Sequence, residues 1–463
     1  MQRLRRCNSN FACNKGDAMS YSNYILPDEQ RVGRWSLNMA WWALFSAMFW
    51  LYIAVACANL VGTADTIIGM MLSIVVYGGI NAVLAKFGAR TGLTVELFSR
   101  SLFGILGSAL ATLIFAATAI YYIVFEGSII AVAFQSYFGG DIKHWYVAVA
   151  IYILPLVMGG VHKWLDRLNG FLLPIYFFGL IAAVVITAGT HPDAAIAWPT
   201  APAESAPLPG WLTTFLIYMG VWIMMMYTFD YARLSKQKDE RFHASVTFGW
   251  FFYIFTFGFN GLIGIYLASV WNVAGTETGV VKALIESLGV VGLIVIVVSQ
   301  TRINSASYYL SSTNLDAFFT RIFRLALPRW VWVIVTGAIA YMVMLTDVLT
   351  WILKALAWQG VFVTAWVAIA MVYVLSNRHE TGVLPEVRRE RLSPVAPGAA
   401  VWLGASIIGI WFTEQSAFPV LARLAPIITF VLAGVGFWLT SRVAPPRMLS
   451  TSENVHVDEQ QMA

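Results

Sequence analysis

Between Ala117 and Phe134 the chain is apolar except for Thr118, Tyr121, Tyr122, Glu126 and Ser128. A charge in hydrocarbon costs about 2.5–3.5 kcal/mol even on the lenient insertion scale, so Glu126 needs a partner or a purpose. Tyr122 precedes it by four residues and shares its helical face, which sets an aromatic platform beside a carboxyl. Such a pair suits a flat ligand with a polar edge, or a proton path; a structural salt bridge or interhelical hydrogen bond is the plainer use of the same residues. A second polar block, Ser299-Gln300-Thr301-Arg302-Ile303-Asn304-Ser305-Ala306-Ser307, interrupts another apolar run. Gln300 and Asn304 fall on one face. The block contains no turn residues and Arg321 and Arg324 arrive much later, which favours an internal polar face over a helix that ends at Gln300 with Arg302 snorkelling into headgroups. A third stretch, Trp211 to Asp230, holds Gly220, Trp222 and a Met224-Met225-Met226 run, and closes on Asp230-Tyr231-Ala232-Arg233. A mid-span Trp more often packs than stacks on ligand, and the Asp-x-x-Arg reads as a cap with an ion pair.

Other chemistries lack their residues. All six His fall in predicted loops or tails, and the three Cys (Cys7, Cys13, Cys57) provide neither a disulfide scaffold nor a metal cluster. There is no HExxH and no Walker loop. Catalytic residues, a resident metal and ATP-driven pumping are therefore not expected, and the chain does not read as an enzyme.

The elements that must position these side chains are membrane helices. Of 463 residues 59% are hydrophobic and 11% charged, against roughly 25% charged in soluble domains, and the mean hydropathy is +0.71. Since about 20 helical residues cross about 30 Å of hydrocarbon, the apolar windows predict about twelve spans, near 37–60, 64–85, 106–135, 145–160, 169–189, 210–230, 246–271, 287–311, 329–346, 350–375, 398–413 and 419–441. Lys86, Arg90 and Arg100, then Lys163 and Arg167, then Arg233 to Arg241, then Arg321 to Arg329, then Arg378 to Arg391 all fall on one side, and few basic residues (Lys143, Lys282, Lys354, Arg423) fall on the other. This bias places both termini in the cytoplasm and the protein in the cell membrane. The expected organisation is a cytosolic tail over 1–36, a membrane domain over 37–441 and a cytosolic tail over 442–463, with Met19 an alternative start. The net charge of +5 serves topology and does not point to nucleic acid; the expected partners are the bilayer and a small molecule.

Gly88-Ala89-Arg90-Thr91-Gly92-Leu93, followed by Arg100, Phe103-Gly104 and Gly107-Ser108, resembles the GA(R/K)TGL...R..FG..GS signature of nucleobase-cation symporter family 1. Asp230-Tyr231-Ala232-Arg233 is similar to that family's D(F/Y)xR. The resemblance covers roughly 31–441 and implies an all-α LeuT-type fold: two inverted five-helix repeats plus two further helices, with spans one and six broken near the midplane. Ala54-Val55-Ala56-Cys57-Ala58 and Gly220 offer the small residues such breaks would use. It also implies a substrate site. Tyr122 would take the place of a stacking Trp, Glu126 that of a Gln, Trp222 would supply the second ring, and Asn304 with Gln300 would bond the ligand's edge. Ser299 and Thr301 would hold a sodium ion, unless the guanidinium of Arg302 replaces that charge and Glu126 carries a proton.

Together these readings predict a secondary transporter that imports a small planar nitrogen heterocycle (a nucleobase, hydantoin, allantoin or vitamin-like ring) by cation-coupled alternating access, with Na+ or H+ the only accessory ion. The alternatives are a proton-coupled or uncoupled permease, and a membrane receptor that binds such a ligand without moving it.

Overall fold

The computed structural model describes residues 25–449 apart from 27, 159–161, 193–206, 274–278, 326, 347–351 and 377–383. Met19, most of both tails, Arg378 and much of the outer segment around 190–209 lie outside the described residues, as do the side chains of Lys163 and Arg167.

Among the described residues, seven helices are long and apolar enough to cross a membrane, two further helix pairs do so as bent spans, and three shorter helices are apolar. They reproduce the twelve expected spans. Span 1 is Arg34–Ser46 plus Phe49–Val61, bent by 41°, and span 6 is Gly210–Met219 plus Ile223–Ala232, bent by 44°. Between them run span 2 (Thr63–Thr91), span 3 (Val95–Phe138), span 4 (Ile142–Met158) and span 5 (His162–Thr190). Span 7 (Gln237–Val270) contains two π-helical turns. Span 8 (Val290–Phe323), span 9 (Arg329–Met344), span 10 (Ile352–Ser376), span 11 (Pro397–Thr413) and span 12 (Pro419–Val443) follow. Spans 1, 2, 6 and 7 pack into one bundle, the long spans 3 and 8 cross with 4 and 9 alongside, and span 10 joins 11 and 12. The pairing of 1 with 6, 3 with 8 and 4 with 9 is the order of an inverted five-plus-five repeat. The chain is a multi-pass membrane protein of the LeuT type with two added helices.

The glycine-rich stretch after span 2 is a joint. Gly92 (φ +71°) ends that span, and a Cβ there would strike the Leu26 carbonyl at 2.7 Å. Gly104 (φ +75°) kinks span 3 where segment 393–396 docks: Ile105 and Leu106 N–H donate to the Ser393 and Pro394 carbonyls, and Ala396 N–H to Phe103. Both positions combine a left-handed backbone with a close backbone approach, which only glycine tolerates. Arg31 staples the same end, donating to the carbonyls of Leu26 (3.1 Å), Ser235 (3.0 Å) and Ala89. Span 3 begins with a double cap, Thr94 Oγ1 accepting from Leu97 N–H (3.0 Å) and Asp230 Oδ1 from Val95 N–H (2.9 Å). The expected cap at Asp230 is real, but it closes a different helix.

The break in span 1 lies at Ala47–Met48, not in the small-residue run Ala54–Ala58, which stays helical. Backbone groups freed in a membrane interior must find partners, and here side chains provide them. The Leu44 carbonyl accepts from Trp50 Nε1 (2.8 Å), the Phe45 carbonyl from Asn260 Nδ2 (2.8 Å), and Met48 N–H donates to Gln300 Oε1 (3.2 Å). The span 6 break falls at Gly220 as expected. The Tyr218 carbonyl accepts there from the Tyr77 hydroxyl (2.6 Å), and the Gly220 carbonyl from Gln359 Nε2 (3.0 Å).

Candidate functional site

Spans 1, 3, 6 and 8 enclose a narrow pocket of about 30 Å³. Span 3 contributes Tyr122 and Glu126, and span 1 contributes Leu44, Ala47, Phe49 and Trp50 around its break. Met224, Tyr227 and Tyr231 of span 6 and Ile303, Ala306, Ser307 and Leu310 of span 8 complete it. Leu44, Tyr231, Ile303, Ala306 and Leu310 also line a vestibule of about 350 Å³. The vestibule continues past Arg302, Thr313, Glu96 and Asp230 to the exposed Ser36 at the end that carries Arg31 and Arg233. A ring-sized ligand in the pocket would extend into the shared mouth.

Two of the expected site residues meet at the pocket. Tyr122 stands edge-to-face with Phe49 (5.6 Å), and its hydroxyl accepts from Gln359 Nε2 (3.2 Å). Glu126 is 1% exposed and its Oε2 has no hydrogen-bond partner. Arg302, 3% exposed, lines the vestibule.

The others face elsewhere. Trp222 is buried edge-to-face against Tyr77 of span 2 (6.1 Å) and Phe430 of span 12 (5.5 Å), outside the pocket wall. Span 6 resumes helicity at Ile223, so its cavity stripe falls at 224, 227 and 231 and Tyr227 takes the aromatic position instead. Gln300 and Asn304 do share a face, but neither lines the pocket. Gln300 holds Met48 at the span 1 break, and Asn304 lies beside Gly127 of span 3. Span 8 presents 303, 306 and 310 to the pocket, the same periodicity one residue out of phase. Ser299 Oγ donates to the Ile296 carbonyl within its own helix (3.0 Å), and Thr301 Oγ1 meets the Tyr152 hydroxyl of span 4 (2.7 Å). Gln359, absent from the sequence reading, ties the pocket to the span 6 break; its only sequence signal is an amide within an apolar helix.

The chain is similar to solved transporters. With Mhp1, a nucleobase-cation-symport-1 family transporter, in a closed conformation with bromovinylhydantoin bound, it shares 17% identity and a TM-score of 0.69 over 94% of this chain and 98% of that one. With the inward-facing conformation of Mhp1 the TM-score is 0.74 at 14% identity, over 94% and 97%. With a Na+-coupled sialic acid symporter in a substrate-bound outward-open state it is 0.59 at 14% identity, over 90% and 91%. No family model matches the chain, and no curated protein matches it.

Proposed function

We propose that the protein is a secondary transporter of nucleobase-cation symporter family 1 that imports a small planar nitrogen heterocycle across the cell membrane by alternating access. The observation that carries this reading is the aromatic pocket holding Tyr122 and Glu126, built where two broken spans meet spans 3 and 8 and joined to a vestibule that reaches the exposed Ser36. Flat amide-bearing rings suit such walls, because faces stack on aromatic side chains while polar groups take the edge. That Mhp1 holds a hydantoin supports the same class. The vestibule is lined by Arg233 and Glu96; with basic residues inside, that end faces the cytoplasm and the conformation is inward-facing. In proteoliposomes, a labelled heterocycle of this class is expected to accumulate against its gradient. Saturable binding without accumulation would make the protein a receptor instead.

For the coupling ion, the surroundings of the span 8 hydroxyls support one reading over the other. With Thr301 engaged by Tyr152 and Ser299 by its own helix, the reading favoured here is proton-coupled or uncoupled uptake, with Arg302 as a fixed cation. Uptake is then expected to persist when sodium is replaced by choline and to change with pH. Strict dependence on sodium would refute this coupling and leave the transport reading standing.

A further inference from the structure

We propose that Glu126 and Tyr227 together read the ligand's edge, and that this edge presents adjacent N–H donors to the carboxylate, as in a flat guanidine- or amidine-type ring cation. The inference rests on the reading that the pocket carries a planar heterocycle and specifies which kind.

Beside Tyr231 and Ser307, four polar groups of the inner pocket divide into two sets. Trp50 Nε1 is committed to the Leu44 carbonyl (2.8 Å), and the Tyr122 hydroxyl is held by Gln359 (3.2 Å). Glu126 Oε2 and the Tyr227 hydroxyl have no partner, although the two residues are 1% and 5% exposed. Buried polar groups are almost always hydrogen-bonded. Two orphans on the wall of one cavity therefore mark where a ligand completes the network. They come from different helices, span 3 and span 6, and Tyr227 lies close enough to Glu126 and Tyr122 to interact with both electrostatically.

The chemistry of the pair selects the ligand. An ionised carboxylate only accepts, so it matches two parallel N–H groups, and the lone pairs of the phenol oxygen beside it accept a third while its own O–H stays able to donate. An imide ring would set carbonyl oxygens against the carboxylate on one or both flanks of its N–H, lone pair against lone pair. A ring cation also supplies the opposite charge that a carboxylate in this low-dielectric site requires, and the aromatic residues Trp50 and Tyr122 in the wall suit a flat cation.

The test uses the purified full-length protein in detergent and two five-membered rings, measured by calorimetric titration. One is 2-aminoimidazole, whose cation has adjacent N–H donors; the other is hydantoin, a neutral ring with alternating carbonyl and N–H groups. The wild type is expected to bind 2-aminoimidazole at least about tenfold more tightly than hydantoin. Glu126→Gln should abolish that preference. Tyr227→Phe, which removes one oxygen atom and keeps the ring, should reduce it several-fold without weakening hydantoin. Hydantoin bound as tightly as 2-aminoimidazole by the wild type, or a preference unmoved by Tyr227→Phe, overturns the proposal and leaves the heterocycle reading in place. Failure of both rings and of a panel of neutral nitrogen heterocycles to bind overturns both.

Discussion

Glu126 and Tyr122 were visible in the sequence because a carboxyl and a phenol one turn apart are conspicuous in a long apolar run. Tyr227, Trp50 and Ala306 were not, since aromatic and small residues abound in every span and only the rotation of each helix decides which of them meets the cavity. Trp222 illustrates the point: as the bulkiest ring near the break it is the obvious stacking residue, yet it packs between Tyr77 and Phe430. Trp222→Phe is therefore expected to leave heterocycle affinity within about twofold of wild type while lowering the unfolding temperature, because a buried large aromatic is trimmed. Tyr122→Leu should do the reverse. Loss of the ring face costs about 0.5–1.5 kcal/mol of ligand binding, roughly two- to thirteen-fold in dissociation constant. Equal affinities in a titration of the two variants would reassign the stacking wall.

At the scale of elements, the two breaks are held by side chains that reach across from other spans. Asn260 of span 7 bonds the Phe45 carbonyl and is itself held by Tyr176 (3.0 Å), while Gln359 of span 10 bonds the Gly220 carbonyl and Tyr122. Asn260→Leu leaves the Phe45 carbonyl without this partner in a low-dielectric site, at a cost of about 1–3 kcal/mol, and a lower midpoint in a detergent thermal melt is the expected reading. Gln359→Leu removes both bonds at once, so it should lower the melt midpoint and also weaken the ligand, whose wall residue Tyr122 loses its anchor. An effect on stability alone would separate span 10 from the site. Gly104→Ala meets a left-handed backbone and a Ser393 carbonyl 2.6 Å from the new Cβ. It should destabilise by more than the roughly 1 kcal/mol of an ordinary glycine replacement, seen as a lower melt midpoint. This accounts physically for part of the glycine pattern after span 2: it serves the joint between spans 2, 3 and 11, and does not touch the ligand pocket.

For the whole molecule, alternating access requires that the vestibule be reachable from one side at a time. Thr313 lines it well away from the pocket. In a chain with Cys7 and Cys13 replaced by Ser, Thr313→Cys is expected to react with a membrane-impermeant thiol reagent from the cytoplasmic face in inverted vesicles and not in right-side-out ones. Equal labelling from both sides would be inconsistent with a one-sided vestibule. The native Cys57 is fully buried and should stay silent. The sequence by itself determined the number of spans and the position of Glu126 within a long apolar helix. Each of these follows from transfer free energy and helix rise, which depend on composition along the chain and hardly on neighbours. Only the tertiary structure decided where span 1 breaks, which face of spans 6 and 8 meets the cavity, and which neighbours Ser299 and Thr301 bond. Those outcomes depend on helix rotation and on which distant side chain satisfies each freed backbone group, and a periodicity of 3.6 residues per turn leaves the phase of that rotation undefined until the helices pack.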